Sequence, residues 1–323
     1  MCCVLIIQSL EAWVTWEECC SVPTAMCQGK AVVLNDNVYY GGGESEEDSS
    51  NRNVFCYGTS SDTWKMLPSL SVKWFGLGQI NGNLVAVGGK KDDTHKVSNE
   101  IYTFNEKSQK WKKAIASMPT ARYFPTTVSL PSALVVAGGL NSDNTHIPNV
   151  DIYDTEKSTW YTTESIPAIC SHLSLQLDGG LQQVFAVGGS KYPLQLNQAL
   201  FASATDLLRI SVQSSKDAVS PCASSQSVWQ TMPNTPNYQP AAVMLADRLL
   251  AIGGEYRGSA QRTVHMYLPL SETWIYINDI PSSRSKTTAV TLSSRTEVLV
   301  IGGCNAATDK VNTVYKGTLN VVA

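Results

Sequence analysis

Apolar runs of three to five residues, each bounded by Asn, Asp or Gly, recur along the chain, and none continues with helical spacing. Leu134-Val135-Val136-Ala137 runs into Gly138-Gly139; residues 31–34 and 38–40 flank Asn35-Asp36-Asn37; residues 84–87 follow Asn81-Gly82-Asn83. Turn residues of this kind tolerate positive φ, so the pattern predicts short strands joined by tight hairpins. With no 3.6-residue periodicity anywhere in these segments, the predicted class is all-β.

The runs are copies of one unit. A glycine pair closes an apolar run at Gly41-Gly42, Gly88-Gly89, Gly138-Gly139, Gly188-Gly189, Gly253-Gly254 and Gly302-Gly303, in steps of 47, 50, 50, 65 and 49 residues. Four of the five steps match the roughly 50-residue period of a four-stranded propeller blade. A tryptophan follows the pair by 21 to 23 residues at Trp64, Trp111, Trp160 and Trp274, and by 41 at Trp229. The last pair has none after it, but Trp16 precedes Val22-Pro23 just as Trp160 precedes Ile166-Pro167 and Trp274 precedes Ile280-Pro281. The expected architecture is therefore a six-bladed β-propeller of four-stranded antiparallel blades over residues 11–320, closed by the N-terminal strand that carries Trp16. The long step predicts an insertion at about 205–225, read either as a Ser-rich excursion without fixed structure or as an edge hairpin that helps a partner dock. Glycine pairs are expected where bulky aromatics of adjoining strands reach the backbone. The repeated tryptophans, with Tyr57, Tyr102, Tyr153, Tyr267 and Tyr315 in the third strands, are read as core between blades rather than as a sugar or nucleotide platform.

Composition narrows the functional classes. Six repeats use nearly all of the 323 residues, and a net charge of −3 leaves neither a nucleic-acid footprint nor a polybasic membrane surface. Nine cysteines, an odd number without Cys-x-x-Cys spacing, together with the lack of an Asn-x-Ser/Thr acceptor, read as reduced thiols of an intracellular, cytoplasmic protein. Residues 1–10 are apolar but lack a basic flank and a cleavage pattern. They are expected to be an extension, an added strand or the edge of a longer product.

Catalytic constellations are absent from the sequence. His95, His146, His172 and His265 stand far apart without carboxylate or Cys at ligand spacing, so no metal and no cofactor is expected. Phe75-Gly76-Leu77-Gly78 is half of a phosphate-loop pattern and introduces a strand instead of a helix. The order Gly-Gly, Tyr about 14 residues later, Trp about 22 later, then apolar-Pro-x-x-Arg resembles the kelch repeat over about residues 11–320. The copies depart from the pattern: the arginine survives as Arg122 and Arg284, while Met26, Ser71, Cys170 and Pro236 hold the corresponding places, with Lys73 a substitute if its loop is one residue longer.

The resemblance implies partner binding at the end of the ring where the post-glycine loops and the openings of the inner strands emerge. Candidate partner-binding residues there are Lys73, Trp74, Arg122, Tyr123, His172, Tyr238, Tyr256, Arg257, Arg284 and Lys286. Arg or Lys beside an aromatic is the composition of a surface able to hold an acidic segment of a protein. The alternatives are solvated loop side chains and, for the arginines, bracing of neighbouring blades. The resemblance also implies a place in a cullin ubiquitin ligase where BTB and BACK domains precede the repeats. Against this non-catalytic recognition module stands a second class, a sugar-isomerising or other small-molecule kelch-type enzyme, which needs several polar residues converging on the central channel.

Overall fold

Each apolar run that leads into a glycine pair becomes the second strand of a four-stranded antiparallel blade, and a sheet buried on both faces needs apolar residues at consecutive positions rather than alternate ones. Ala133–Ala137 shows why. Ala133, Val135 and Ala137 pack toward the following sheet and Leu134 and Val136 toward the preceding one, all buried. The computed structural model describes residues 11–322 except 48–50, 92, 115, 164, 168–172, 179, 181, 192–193, 196–197, 204–228 and 306–308.

The second strands of blades 1 to 6 are Asn37–Gly41, Asn83–Val87, Ala133–Ala137, Gln183–Val187, Arg248–Ile252 and Glu297–Ile301. The inner strands that precede them are Lys30–Leu34, Gly76–Ile80, Thr126–Leu130, Ser174–Asp178, Ala241–Leu245 and Thr288–Thr291, and they contact one another in an unbroken circle, first blade against last. Six apolar clusters fill the six spaces between neighbouring blades. Burial of this kind, at about 25 cal/mol per Å² of apolar surface, drives formation of the ring.

Blade 6 is closed by the other end of the chain. Glu11–Cys19 pairs antiparallel with Val314–Val322, Glu11 opposite Val322 and Cys19 opposite Val314, in the sheet that holds Val300 and Ile301. Trp16 thus lies in the outermost strand, as its spacing from Val22-Pro23 predicts. Residues 1–10 and the insertion at 205–225 fall outside the described residues.

The tryptophans sit on the third-strand aromatics, Tyr57 with Trp64 at 4.9 Å, Tyr153 with Trp160 at 5.2 Å and Tyr267 with Trp274 at 5.3 Å between ring centroids. In blade 2 the partner of Trp111 is Phe104, not Tyr102. Several indoles also tie their blade to the link that has just left the preceding one: Trp64 donates to the Cys20 carbonyl, Trp111 to Pro68 and Trp274 to Pro233.

Three expectations are corrected here. In blade 1 the glycine pair is Gly42-Gly43; Gly41 ends a strand, and φ turns positive only at Gly42. What crowds the pairs is chiefly backbone carbonyl oxygen rather than aromatic rings. At Gly89, φ is +97° and an added Cβ would stand 2.7 Å from the Lys73 carbonyl. The nine cysteines are not all thiols, because ring closure brings Cys27, at the opening of blade 1, against Cys304, after the glycine pair of blade 6, and the two form a disulfide 277 residues apart in sequence. Cys19, Cys20 and Cys56 are free. Among the described residues no helix is long and apolar enough to cross a membrane.

Candidate functional site

The end of the channel where the inner strands begin is built from one repeated backbone device. In five blades the residue two places before the inner strand is in the left-handed region: Gln28 (φ 58°), Trp74 (59°), Phe124 (53°), Gln239 (48°) and Lys286 (53°). The sixth place belongs to His172, which lies outside the described residues. Neighbouring members are joined through the backbone, the Gln28 amide donating to the Lys286 carbonyl at 2.8 Å and the Phe124 amide to Trp74 at 2.7 Å. A left-handed conformation costs a non-glycine residue roughly 1–2 kcal/mol, so these hydrogen bonds and the packing around them hold it in place.

At the openings of blades 2 and 3 this device assembles a patch. The Trp74 ring stacks on Phe124 at 5.3 Å and 28° and meets Tyr123 at 5.8 Å. Val72–Lys73 pairs with Lys90–Lys91, which sets Lys73 directly opposite Lys90. Like charges so placed repel, yet both ammonium groups converge on one indole. Lys73 Nζ is 4.8 Å from the Trp74 centroid and Lys90 Nζ is 5.9 Å, with Tyr123 5.7 Å from Lys90. Lys73, Tyr123 and Phe124 are buried, while Trp74 and Lys90 are half-exposed. Lys91 is neutralised differently, by a 2.8 Å ion pair with Glu100. Although burial opposes it, hydrogen bonds from Lys113, Lys91 and Tyr102 pull the Glu100 carboxyl down to about 2.

The other candidates divide. Tyr238 and Lys286 are half-buried at openings of their own. Tyr256 is 45% exposed, with the Arg257 guanidinium 5.2 Å above its ring, on the short hairpin of blade 5. Arg122 and Arg284 are not surface groups at all; they are 0% and 1% exposed. Each guanidinium turns into its own blade and donates to the carbonyl of the first glycine of the pair, Arg122 to Gly138 at 3.0 Å and Arg284 to Gly302 at 2.9 Å. Buried backbone oxygens need donors, and a glycine pair at positive φ leaves this one outside the strand ladder. Arg122 further pairs with Asp151 at 2.8 Å, and Arg284 bonds Thr313 and lies 4.9 Å over Tyr315. Their backbone carbonyls receive the second glycine of the preceding blade, Gly89 to Arg122 and Gly254 to Arg284, both 2.8 Å. The expectation that these two arginines face a partner is therefore corrected: they are joints of the ring.

Comparison with known proteins agrees with this repeat. The Kelch motif family matches residues 121–165, the segment from the Arg122 joint to the strand of Trp160. Kelch-like protein 41b of Danio rerio is 27% identical over 150 residues, which is 46% of this chain and 24% of that protein. Kelch-like protein 38 of Rattus norvegicus is 19% identical over 275 residues, 83% of this chain and 42% of that protein. The solved structure of YjhT superposes with a TM-score of 0.74 at 15% identity, covering 94% of this chain and 99% of that one. The chain is a six-bladed β-propeller that carries a Kelch motif. Its matches span between about a quarter and two fifths of the length of these curated relatives.

Within this propeller the arginine position is now assignable in the five blades whose opening is described. It is four residues before the inner strand: Met26, Val72, Arg122, Asn237 and Arg284. Lys73 does not substitute for the arginine. Asn237 does, donating to the Gly253 carbonyl at 2.8 Å, and sequence reasoning missed it by aligning from the proline. Phe124 was missed as well. Its signal is the fixed spacing from the inner strand that it shares with Trp74. Among the described residues no group of three or more His, Cys, Asp or Glu could hold a metal.

Proposed function

We propose that this kelch propeller is a non-catalytic protein-recognition module that seats an acidic or carboxylate-bearing segment of a partner on the channel-mouth patch of Trp74, Tyr123, Phe124, Lys73 and Lys90. The observation that carries the reading is the Lys73–Lys90 juxtaposition over Trp74. A carboxylate laid over this face meets the half-exposed Lys90 ammonium beside the Trp74 ring, and hydrogen bonds to charged groups contribute about 1.5–3 kcal/mol. The indole supplies flat apolar surface for the ligand's carbon atoms. Tyr238, Tyr256, Arg257 and Lys286 extend the same end of the ring toward blades 5 and 6. Glu44, exposed on the first post-glycine loop, favours a segment with a basic end on that side. No metal, cofactor, nucleic acid or membrane enters this reading.

A role as substrate-recognition part of a cullin ubiquitin ligase follows only for a gene product in which a BTB domain precedes residue 1. A cytoplasmic setting carries its own consequence, that Cys27 and Cys304 are kept reduced there. Mass mapping of alkylated protein taken from cells tests it; the disulfide found intact contradicts a cytoplasmic site.

The binding experiment is selection of a displayed random-peptide library on the purified chain, followed by titration of the enriched peptides. The expected consensus carries Asp or Glu, and Lys90→Glu with Trp74→Ala weakens it by about two orders of magnitude or more, while Tyr276→Ala on the outer strand of blade 5 leaves it unchanged. A consensus without carboxylates, or equal affinity for the folded mouth variant, overturns the reading.

A further inference from the structure

Directly below the ring of left-handed residues, the inner strands enclose a cavity of about 70 Å³ on the propeller axis. Among the described residues its wall carries two cations, Lys30 on the inner strand of blade 1 and Lys286 at its rim, and no carboxylate. Among the described residues, blades 2 to 5 contribute no titratable side chain to that wall; they supply Leu77, threonine and serine hydroxyls, and glutamine amides. Lys30 has no ion pair and no side-chain hydrogen bond among the described residues. Burial alone, with no acidic neighbour to offset it, brings its ammonium down to about 8. Lys30 is half-buried, and a lysine withdrawn from water at its ammonium end without a counter-charge is costly.

Two further polar groups lack a match. Gln239, 7% exposed, has its Oε1 buried with no hydrogen-bond partner among the described residues. Ser174 Oγ accepts the Ala242 amide at 3.2 Å, which leaves its hydroxyl hydrogen for another acceptor. The wall itself is fixed, because Thr127 and Thr288 donate to Leu77 and Gly29 of the neighbouring blades. A cation and a hydroxyl donor therefore line the same small space as an orphaned acceptor, and the volume exceeds that of a single ordered water.

We propose that this axial cavity is a binding site for a small oxyanion, a carboxylate or phosphate group, with Lys30 as its counter-charge and Gln239 accepting from a hydroxyl or N–H of the same molecule. The site is separate from the outer patch of Trp74 and Lys90, and its ligand enters past Lys286.

The test uses the full chain in sodium acetate, phosphate, sulfate and chloride at equal ionic strength, read by melting temperature and by calorimetric titration. Acetate or phosphate should raise the melting temperature over chloride in a saturable way; a response to acetate assigns a carboxylate ligand, and a response to phosphate alone assigns a phosphate. Lys30→Met should melt higher than wild type in chloride, because the enclosed charge is gone, and lose about tenfold or more of the oxyanion affinity. Should that variant not fold, wild type decides by itself. Sulfate keeps its charge over this range, so its affinity should fall as pH rises through about 8 and Lys30 loses its proton. Equal oxyanion responses in wild type and Lys30→Met, affinity flat across that pH range, or no saturable response beyond chloride means that the cavity holds water only.

Discussion

Arg122 and Asp151 are both wholly buried and 2.8 Å apart, and Asp151 also accepts from the Thr120 amide and the Thr162 hydroxyl. Removing one member of such a pair leaves the other charge stranded, at a cost of about 3–5 kcal/mol. Arg122→Ala and Asp151→Ala should each lose stability of that order in denaturant unfolding, and the double variant should lose clearly less than the sum. Additive losses would mean that the two do not act as a unit. The position of Arg122 was legible in the sequence from its proline, but its direction was not. Residue type and spacing look the same for a guanidinium in water and for one satisfying a glycine carbonyl, and only the strand geometry distinguishes them. Glu100 gives a second residue-scale expectation. Its folded carboxyl lies near 2 against an ordinary 4.5, so its contribution is complete above 4.5 and fades as pH falls toward 2. Melting temperature followed over that window should drop less steeply in Glu100→Gln than in wild type.

At the scale of the hairpin and the blade, two glycines at positive φ separate conformational cost from steric cost. Gly82, φ +73°, turns between the first two strands of blade 2 with nothing within 4 Å of an added Cβ, whereas Gly89 stands against the Lys73 carbonyl. Gly82→Ala should cost about 1–2 kcal/mol, the left-handed penalty alone. Gly89→Ala should cost more and also disturb Lys73 over Trp74. Equal melting temperatures for the two would contradict the steric account. The turns at Asn35-Asp36 and Asn81-Gly82 were legible because those residues accept positive φ. The turn at Ala246-Asp247, with φ 48° and 57°, was not, since alanine carries no such signal and tertiary packing imposes the conformation. Counting from the proline misplaced the arginine position in blades 2 and 5 for a related reason. Those links are one residue longer, and the register is fixed by the inner strand they enter.

The whole ring depends on its two ends meeting. Nine residue pairs between Glu11–Cys19 and Val314–Val322 complete blade 6 and cover an edge that would otherwise template aggregation. Deleting residues 1–22 should therefore lower the melting temperature far more than deleting 205–225, and equal midpoints would contradict closure as the source of stability. The repeat period made this architecture legible, since six copies and one displaced tryptophan leave few other topologies. The disulfide was not legible, because Cys27 and Cys304 become neighbours only when the ring shuts. The function proposed above rests at this scale on the mouth of the channel, where the repeat collects one residue from each of five described openings, and it is there that the account is most directly open to test. Hydrogen–deuterium exchange of the chain with and without an acidic peptide from the library selection should show new protection in residues 72–74, 89–91 and 121–124 and none in Thr273–Arg284 before the mouth is reached. Protection confined to the outer strands, with the mouth unchanged, would contradict it.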